Sequence, residues 1–230
     1  MRTIGTVTRL QIQRGSLKRG DKPTRVYDPT PLLSVAALNV TPDGALGASP
    51  DGGDTWIVDV HHRAHPGTKN EDGEHGISLG FTSHYDAMRA HFSDRVEVGC
   101  AGENIIATSD RQFTYEDLAA GVAILSPDGK ERVRLKILQV AHPCRPFTGW
   151  ALGKQVEPEE LKTHLQFLDN GMRGRKHHRD QRPAIQLRRT RCRRGHPLTR
   201  REGTGAAESA PGGTPVPAIH GMGTGKDGRA

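Results

Sequence analysis

The chain is short of aromatic residues. Phe, Tyr and Trp make up 4% of its 230 residues, and none follows Phe167. Hydrophobic residues reach only 33%, which is low for a chain that folds along its whole length. No apolar run approaches the length of a membrane-spanning helix. The first residues, Met1-Arg2-Thr3-Ile4-Gly5-Thr6-Val7-Thr8-Arg9, lack the apolar centre of a secretory signal. Cysteine is also scarce: Cys100, Cys144 and Cys192 cannot all pair, and none stands at CxxC spacing. That argues against a disulfide framework and against the common zinc motifs, and the expectation is a reducing, cytoplasmic setting without a membrane.

Acidic residues are missing from one end. The formal net charge is +7, but 13 basic and 4 acidic residues lie after Gly174, which leaves about −2 for residues 1–174. The basic balance therefore belongs to the tail. Arg175-Lys176-His177-His178-Arg179 and Arg188-Arg189-Thr190-Arg191-Cys192-Arg193-Arg194 are dense in like charge, and residues 202–230 are rich in Gly, Pro, Ala and Thr. Such a composition buries too little apolar surface to offset its ordering entropy. Two parts are expected: a folded domain over 1–174, and a disordered or aberrant basic tail over 175–230. The tail has no aromatics for base stacking, so only salt-sensitive, non-specific attraction to nucleic acid is expected of it.

Within the body, short strand patterns dominate. Thr3 to Gln13 and Leu32 to Val40 read as strands, and Thr41-Pro42-Asp43-Gly44 is turn chemistry. Ser16 to Pro31 reads as loop or edge, Thr55 to Val60 as a short strand, and Ala64 to Gly80 as a polar loop. Thr82 to Phe92 places Tyr85, Met88 and Phe92 on one helical face. Thr114 and Asp117 stand at capping-box spacing. Gly121 to Ser126 and Glu131 to Ala141 flank Pro127-Asp128-Gly129-Lys130 as a hairpin. Val156 to Asp169 reads as a helix, with Pro158 in its first turn and Gly171 as its stop. The expected class is mainly β, a barrel or closed sheet with a few short peripheral helices.

The chemistry-bearing stretch is His142-Pro143-Cys144-Arg145-Pro146-Phe147. Its prolines should end the strand before it and set Cys144 on a stiff loop. Arg145 beside the sulfur favours thiolate, the nucleophilic and metal-binding form. The alternative is a cysteine buried as a small hydrophobe. Upstream lies Gly99-Cys100-Ala101-Gly102-Glu103-Asn104-Ile105-Ile106-Ala107-Thr108. Gly102 permits close backbone approach, while Glu103 and Asn104 could equally fix a turn. His61, His62, His65 and His75 form a histidine-rich region. Adjacent strand residues face opposite ways, which argues against a zinc cluster there.

Together the Gly102-Glu103-Asn104-Ile105 and Pro143-Cys144-Arg145 motifs resemble the MOSC family, the C-terminal domain of molybdenum-cofactor sulfurases, which also occurs as stand-alone bacterial proteins. Val58-Asp59-Val60-His61-His62 and Ser83-His84-Tyr85-Asp86-Ala87-Met88-Arg89 stand in the family order, and the resemblance covers roughly residues 1–174. It implies a β-rich barrel whose cleft is floored by the cysteine loop. It implies that Cys144 carries a persulfide or ligates molybdenum in a pterin cofactor, with Arg145 on the pterin phosphate. Glu103, Asn104, Thr108, His142 and His61 would then stand around that cofactor. The same resemblance implies links to pyridoxal phosphate, a small-molecule substrate such as an N-hydroxylated compound, and a redox partner protein. Phe167 to Gly174 resembles a family segment leading into final strands. The arginine-rich sequence after it reads as a frameshifted ending, and a degenerate product is one reading of the chain. A non-catalytic β-barrel that binds a small anion or partner, with Cys144 structural, is another.

Overall fold

A computed structural model gives the fold and describes residues 2–154, 156–169, 172–179, 185–188 and 218–221. β1 (Arg2–Gln13) buries Ile4, Val7, Leu10 and Ile12. Its register against a later strand shifts between Val7 and Arg9. That shift, as at a bulge, lets Val7 and Leu10 face the core although they stand three apart. β2 (Lys18–Arg19) and β3 (Val26–Tyr27) make a two-residue ladder within the segment expected to be loop or edge.

The single strand expected over 32–40 is two. β4 (Leu32–Ser34) pairs with β1, whereas β5 (Ala37–Thr41) pairs with β6 (Gly44–Ala48). Apolar residues fill nearly every position of this stretch, so no alternation ties it to one sheet face. Gly44, at φ +130°, makes the turn between β5 and β6; a Cβ there would stand 2.8 Å from the His62 Cα. β7 (Trp56–Val58) completes this hairpin group.

β8 (Ile77–Phe81) ends the stretch expected to be loop and runs directly into α1 (Thr82–His91), which buries Tyr85 and Met88. β9 (Ile105–Ala107) lies parallel to β8 and antiparallel to β1. α2 (Tyr115–Leu118) starts with the expected capping box of Thr114 and Asp117. β10 (Val122–Leu125) and β11 (Glu131–Val140) form the expected hairpin. α3 (Arg145–Leu152) was not expected, and α4 (Pro158–Phe167) was.

Three further strands belong to the tail: β12 (Arg175–Arg179), β13 (Ile185–Arg188) and β14 (Ala218–Gly221). β12 pairs with β11 and β8, β13 with β5, and β14 with β10 and β1. The expectation of disorder from Gly174 onward is corrected for these strands. A ladder satisfies backbone groups whatever the side chains are, and β8, β11, β5 and β1 offer unpaired edges to fill. The rest of the tail, Cys192 included, lies outside the described residues, as does Gly171.

The architecture is mainly β with a few short helices. The larger sheet runs β14-β10-β11-β12-β8-β9-β1-β4, with β14 also paired to β1, and the smaller runs β13-β5-β6-β7. One apolar core lies among the strands and includes Leu10, Ile12, Leu79, Phe81, Ile105 and Leu135. A second lies under the helices, with Tyr85, Met88, Phe147 and Leu168. Each such side chain contributes roughly 1.5–3 kcal/mol by leaving water. Among the described residues no helix is long and apolar enough to cross a membrane.

Candidate functional site

Cys144 ends the crossing from β11 to α3. Its backbone is extended, at φ −137° and ψ 139°, and it is the residue immediately before α3. Pro146 stands in the first turn, where its missing N–H costs nothing. The expected stiff loop is thus a helix start. Thr148 anchors it, its backbone N–H and its hydroxyl both donating to the Cys144 carbonyl, at 3.1 and 3.0 Å.

The sulfur has a cationic partner, but it is not the neighbouring arginine. Arg173 Nη1 donates to Cys144 Sγ at 3.2 Å. The guanidinium is buried, lies 4.1 Å over the Phe147 ring, and also reaches the carbonyls of His142 and Ala101. Burial works against its charge, yet Cys144, Tyr27 and Glu103 outweigh that and raise its pKa above the ordinary guanidinium value. Its Nε is buried without a hydrogen-bond partner among the described residues. Arg145 points elsewhere: it is exposed and lines the cleft. The only signal for Arg173 in the sequence is its place just before Gly174, in the segment that resembles the family.

Cys144 forms part of the wall of a cleft of about 830 Å³. Lys18, Lys22 and Arg25 reach it from the β2–β3 hairpin, and Arg145 from α3. Tyr27 and Trp150 add aromatic surface, and among the described residues no carboxylate lines the cleft. Among the described residues none of these four cations is in an ion pair. Tyr27 packs edge-on to Phe147 and donates its hydroxyl to the Cys100 carbonyl at 2.6 Å. Burial raises its pKa far above the phenol range, so the ring stays neutral. The hairpin cations were missed because an isolated run of Lys and Arg in a loop reads as solvated charge.

Behind the cleft lies a buried polar layer. Gly102, at φ +97°, brings the chain so close to Gln13 that a Cβ would meet its side-chain nitrogen at 2.6 Å, and Gln13 donates to the Gly102 carbonyl at 2.8 Å. Glu103 accepts a hydrogen bond from the Tyr85 hydroxyl, and its Oε1 has no partner among the described residues. Burial lifts its pKa from 4.5 to about 7. Asn104 ties three segments together. Its Nδ2 donates to Asp59 Oδ2 at 2.9 Å and the Gln11 carbonyl at 3.3 Å, and its Oδ1 accepts from the Ser78 N–H and hydroxyl at 3.0 and 2.9 Å.

The structure therefore gathers only part of the expected set. Cys144 and Arg145 share the cleft. Glu103 and Asn104 stand behind it as fully buried framework. Thr108 exchanges hydrogen bonds with Thr6 at 3.1 and 3.3 Å, pinning strand register. His61 caps the buried Asp59 carboxylate through its backbone N–H and ring Nδ1, at 2.8 and 3.1 Å. His142 is exposed and offers Arg173 only its carbonyl. His62 is held between the Thr41 hydroxyl and the Ala64 N–H, and burial lowers its pKa. Among the described residues no group of three or more His, Cys, Asp or Glu could hold a metal ion. Cys100 is buried, and burial pushes its thiol well up.

No family model and no curated protein matches this chain. Among solved structures it is similar to the YuaD protein from Bacillus subtilis. That match has 11% identity and a TM-score of 0.41, and covers 80% of this chain and 94% of that one. It is also similar to a hypothetical protein, at 14% identity and a TM-score of 0.37, over 82% of this chain and 62% of that one.

Proposed function

We propose that this is a MOSC-like protein that handles an anionic, molybdopterin-type cofactor, or sulfur itself, through Cys144. The observation that carries the reading is a single sulfur on the wall of a carboxylate-free, four-cation cleft, with a buried guanidinium donating to it. We propose a barrel for the larger sheet, supported by β14 lying against both β1 and β10, so that the ladder leading away from β1 through β9 returns to it.

The residues fit such a group. A soft sulfur suits molybdenum and sulfane sulfur alike. Lys18, Lys22, Arg25 and Arg145 suit a phosphate, with guanidinium geometry matching it in the arginines. Trp150, half-buried on the cleft wall, offers aromatic surface to a ring. Among the described residues Arg173 Nε is a buried donor whose need for an acceptor is unmet. Bound, the cofactor would supply redox chemistry on molybdenum, for instance reduction of an N-hydroxylated substrate fed by a redox partner protein. This chain's residues bind the anion and hold Cys144 in place through Arg173 and Thr148.

Mass spectrometry with metal analysis, on protein purified without reductant, tests the reading. The expected result is molybdenum with pterin, or one extra sulfur atom on Cys144 that is absent from C144S. Protein with neither contradicts it. A second reading is a non-catalytic anion-binding domain, favoured by the packing of Cys144 against the apolar cluster under the helices. It requires that C144S bind the same anion unchanged while the parent turns nothing over.

A further inference from the structure

The cleft beside Cys144 does not end at α3. A second cleft of about 490 Å³ continues along the same helix, and Arg145, Gly149 and Leu161 line both. It carries Arg95 and Lys154 at its far end and, like the first, is lined by no carboxylate among the described residues. The two ends are separated by α3, eight residues long, which spans about 12 Å.

Arg95 is exposed but held at this end. Its Nη1 donates to the Trp150 carbonyl at 3.2 Å. Its guanidinium lies against Gly153, where a Cβ would stand 3.4 Å from the arginine Cζ. Gly153 closes α3 in the left-handed conformation, at φ +67°. Glycine is thus favoured there by backbone conformation and leaves the guanidinium room to pack. Arg95 forms no ion pair among the described residues. Lys154 pairs only with Glu160, at 3.4 Å between two well-exposed side chains, a contact that yields readily to a better anion.

We infer that the two clefts form one groove for a small molecule with two separated anionic groups. One end lies at Lys18, Lys22, Arg25 and Arg145, the other at Arg95 and Lys154, and the ligand's uncharged middle runs over Gly149, Trp150 and Leu161. The chemical class is an elongated aromatic bis-anion with a phosphate at each end of its ring system, as opposed to the corresponding monophosphate. Arg145, common to both clefts, contacts the ligand in either half. The inference rests on the anion-binding reading of the first cleft but needs no chemistry at Cys144.

Calorimetric titration with biphenyl-4-yl phosphate and biphenyl-4,4′-diyl bisphosphate tests it on the full chain. The parent is expected to bind the bisphosphate about tenfold more tightly, the equivalent of one added charge-assisted phosphate contact. R95Q with K154Q should erase that difference while leaving monophosphate affinity within about twofold. K22Q should weaken both ligands together. Equal affinities in the parent, or a preference that survives R95Q/K154Q, overturn the second subsite and leave the first cleft standing. Failure of the parent to bind either ligand at millimolar concentration overturns both.

Discussion

At the scale of single residues, Arg173 decides what kind of sulfur Cys144 is. Sequence adjacency points to Arg145 as the activating cation, whereas the fold supplies Arg173 from 29 residues away. R173Q keeps a planar donor and removes the charge. Alkylation of Cys144 by iodoacetamide should slow roughly tenfold, the rate equivalent of losing a charge-assisted hydrogen bond. R145Q should leave that rate nearly unchanged and weaken anion binding instead. A rate that follows Arg145 and ignores Arg173 would contradict the assignment. Glu103 makes a separate prediction. Its folded pKa of about 7 lies above the ordinary 4.5, so the folded state holds a proton that the unfolded chain releases. Its stabilising contribution is complete below pH 4.5 and is lost as pH rises through about 7. The parent's unfolding free energy should fall across that window, by roughly 3 kcal/mol at most from this group. E103Q, which retains an acceptor for Tyr85, should flatten the decline. Denaturant melts of both proteins from pH 4 to 8 check it, and parallel curves would refute it.

Among the elements, those with a local signal were legible in the sequence. The β10–β11 hairpin, the α2 capping box and the α1 face of Tyr85 and Met88 each rest on residues a few positions apart. β8 and β9 were not legible: Ile77 to Phe81 follows a polar glycine-containing stretch, and Ile105 to Ala107 is only three residues long. α3 was hidden by its prolines, which read as strand breakers; Pro146 in fact occupies the helix's first turn. The site shows the same division. Cys144 stands out because its neighbours in sequence are unusual, whereas Arg173 and the hairpin cations reach the cleft only through tertiary structure. The β5–β6 turn gives a test at this scale. Gly44 sits at φ +130° with His62 and Gly76 backbone closer than 3.4 Å to any added Cβ. G44A should therefore destabilise the protein by about 2 kcal/mol or more. T114A, which removes only the cap of α2, should cost about 1 kcal/mol. Thermal melts that rank the two in the opposite order would count against this reading of the hairpin.

For the whole molecule, the question is what the basic tail is for. Composition marks everything after Gly174 as unable to fold, yet β12 fills the gap between β8 and β11, and β14 lies between β1 and β10. Their contribution is backbone pairing, which composition does not report. Truncation after Gly174 should then abolish the cooperative thermal transition, leaving a chain with exposed strand edges that aggregates. A truncated chain that melts like the parent would show those strands to be dispensable. The central claim remains that one sulfur, Cys144, is reachable at the mouth of an anion-binding cleft, while Cys100 is shut away. Site-resolved alkylation of the native protein, read by mass spectrometry with and without a nucleotide phosphate, tests it most directly. Native Cys144 should label readily and be protected by the anion, and Cys100 should label only after denaturation. If Cys144 instead reacts only once the protein is unfolded, the cleft is not where its chemistry happens.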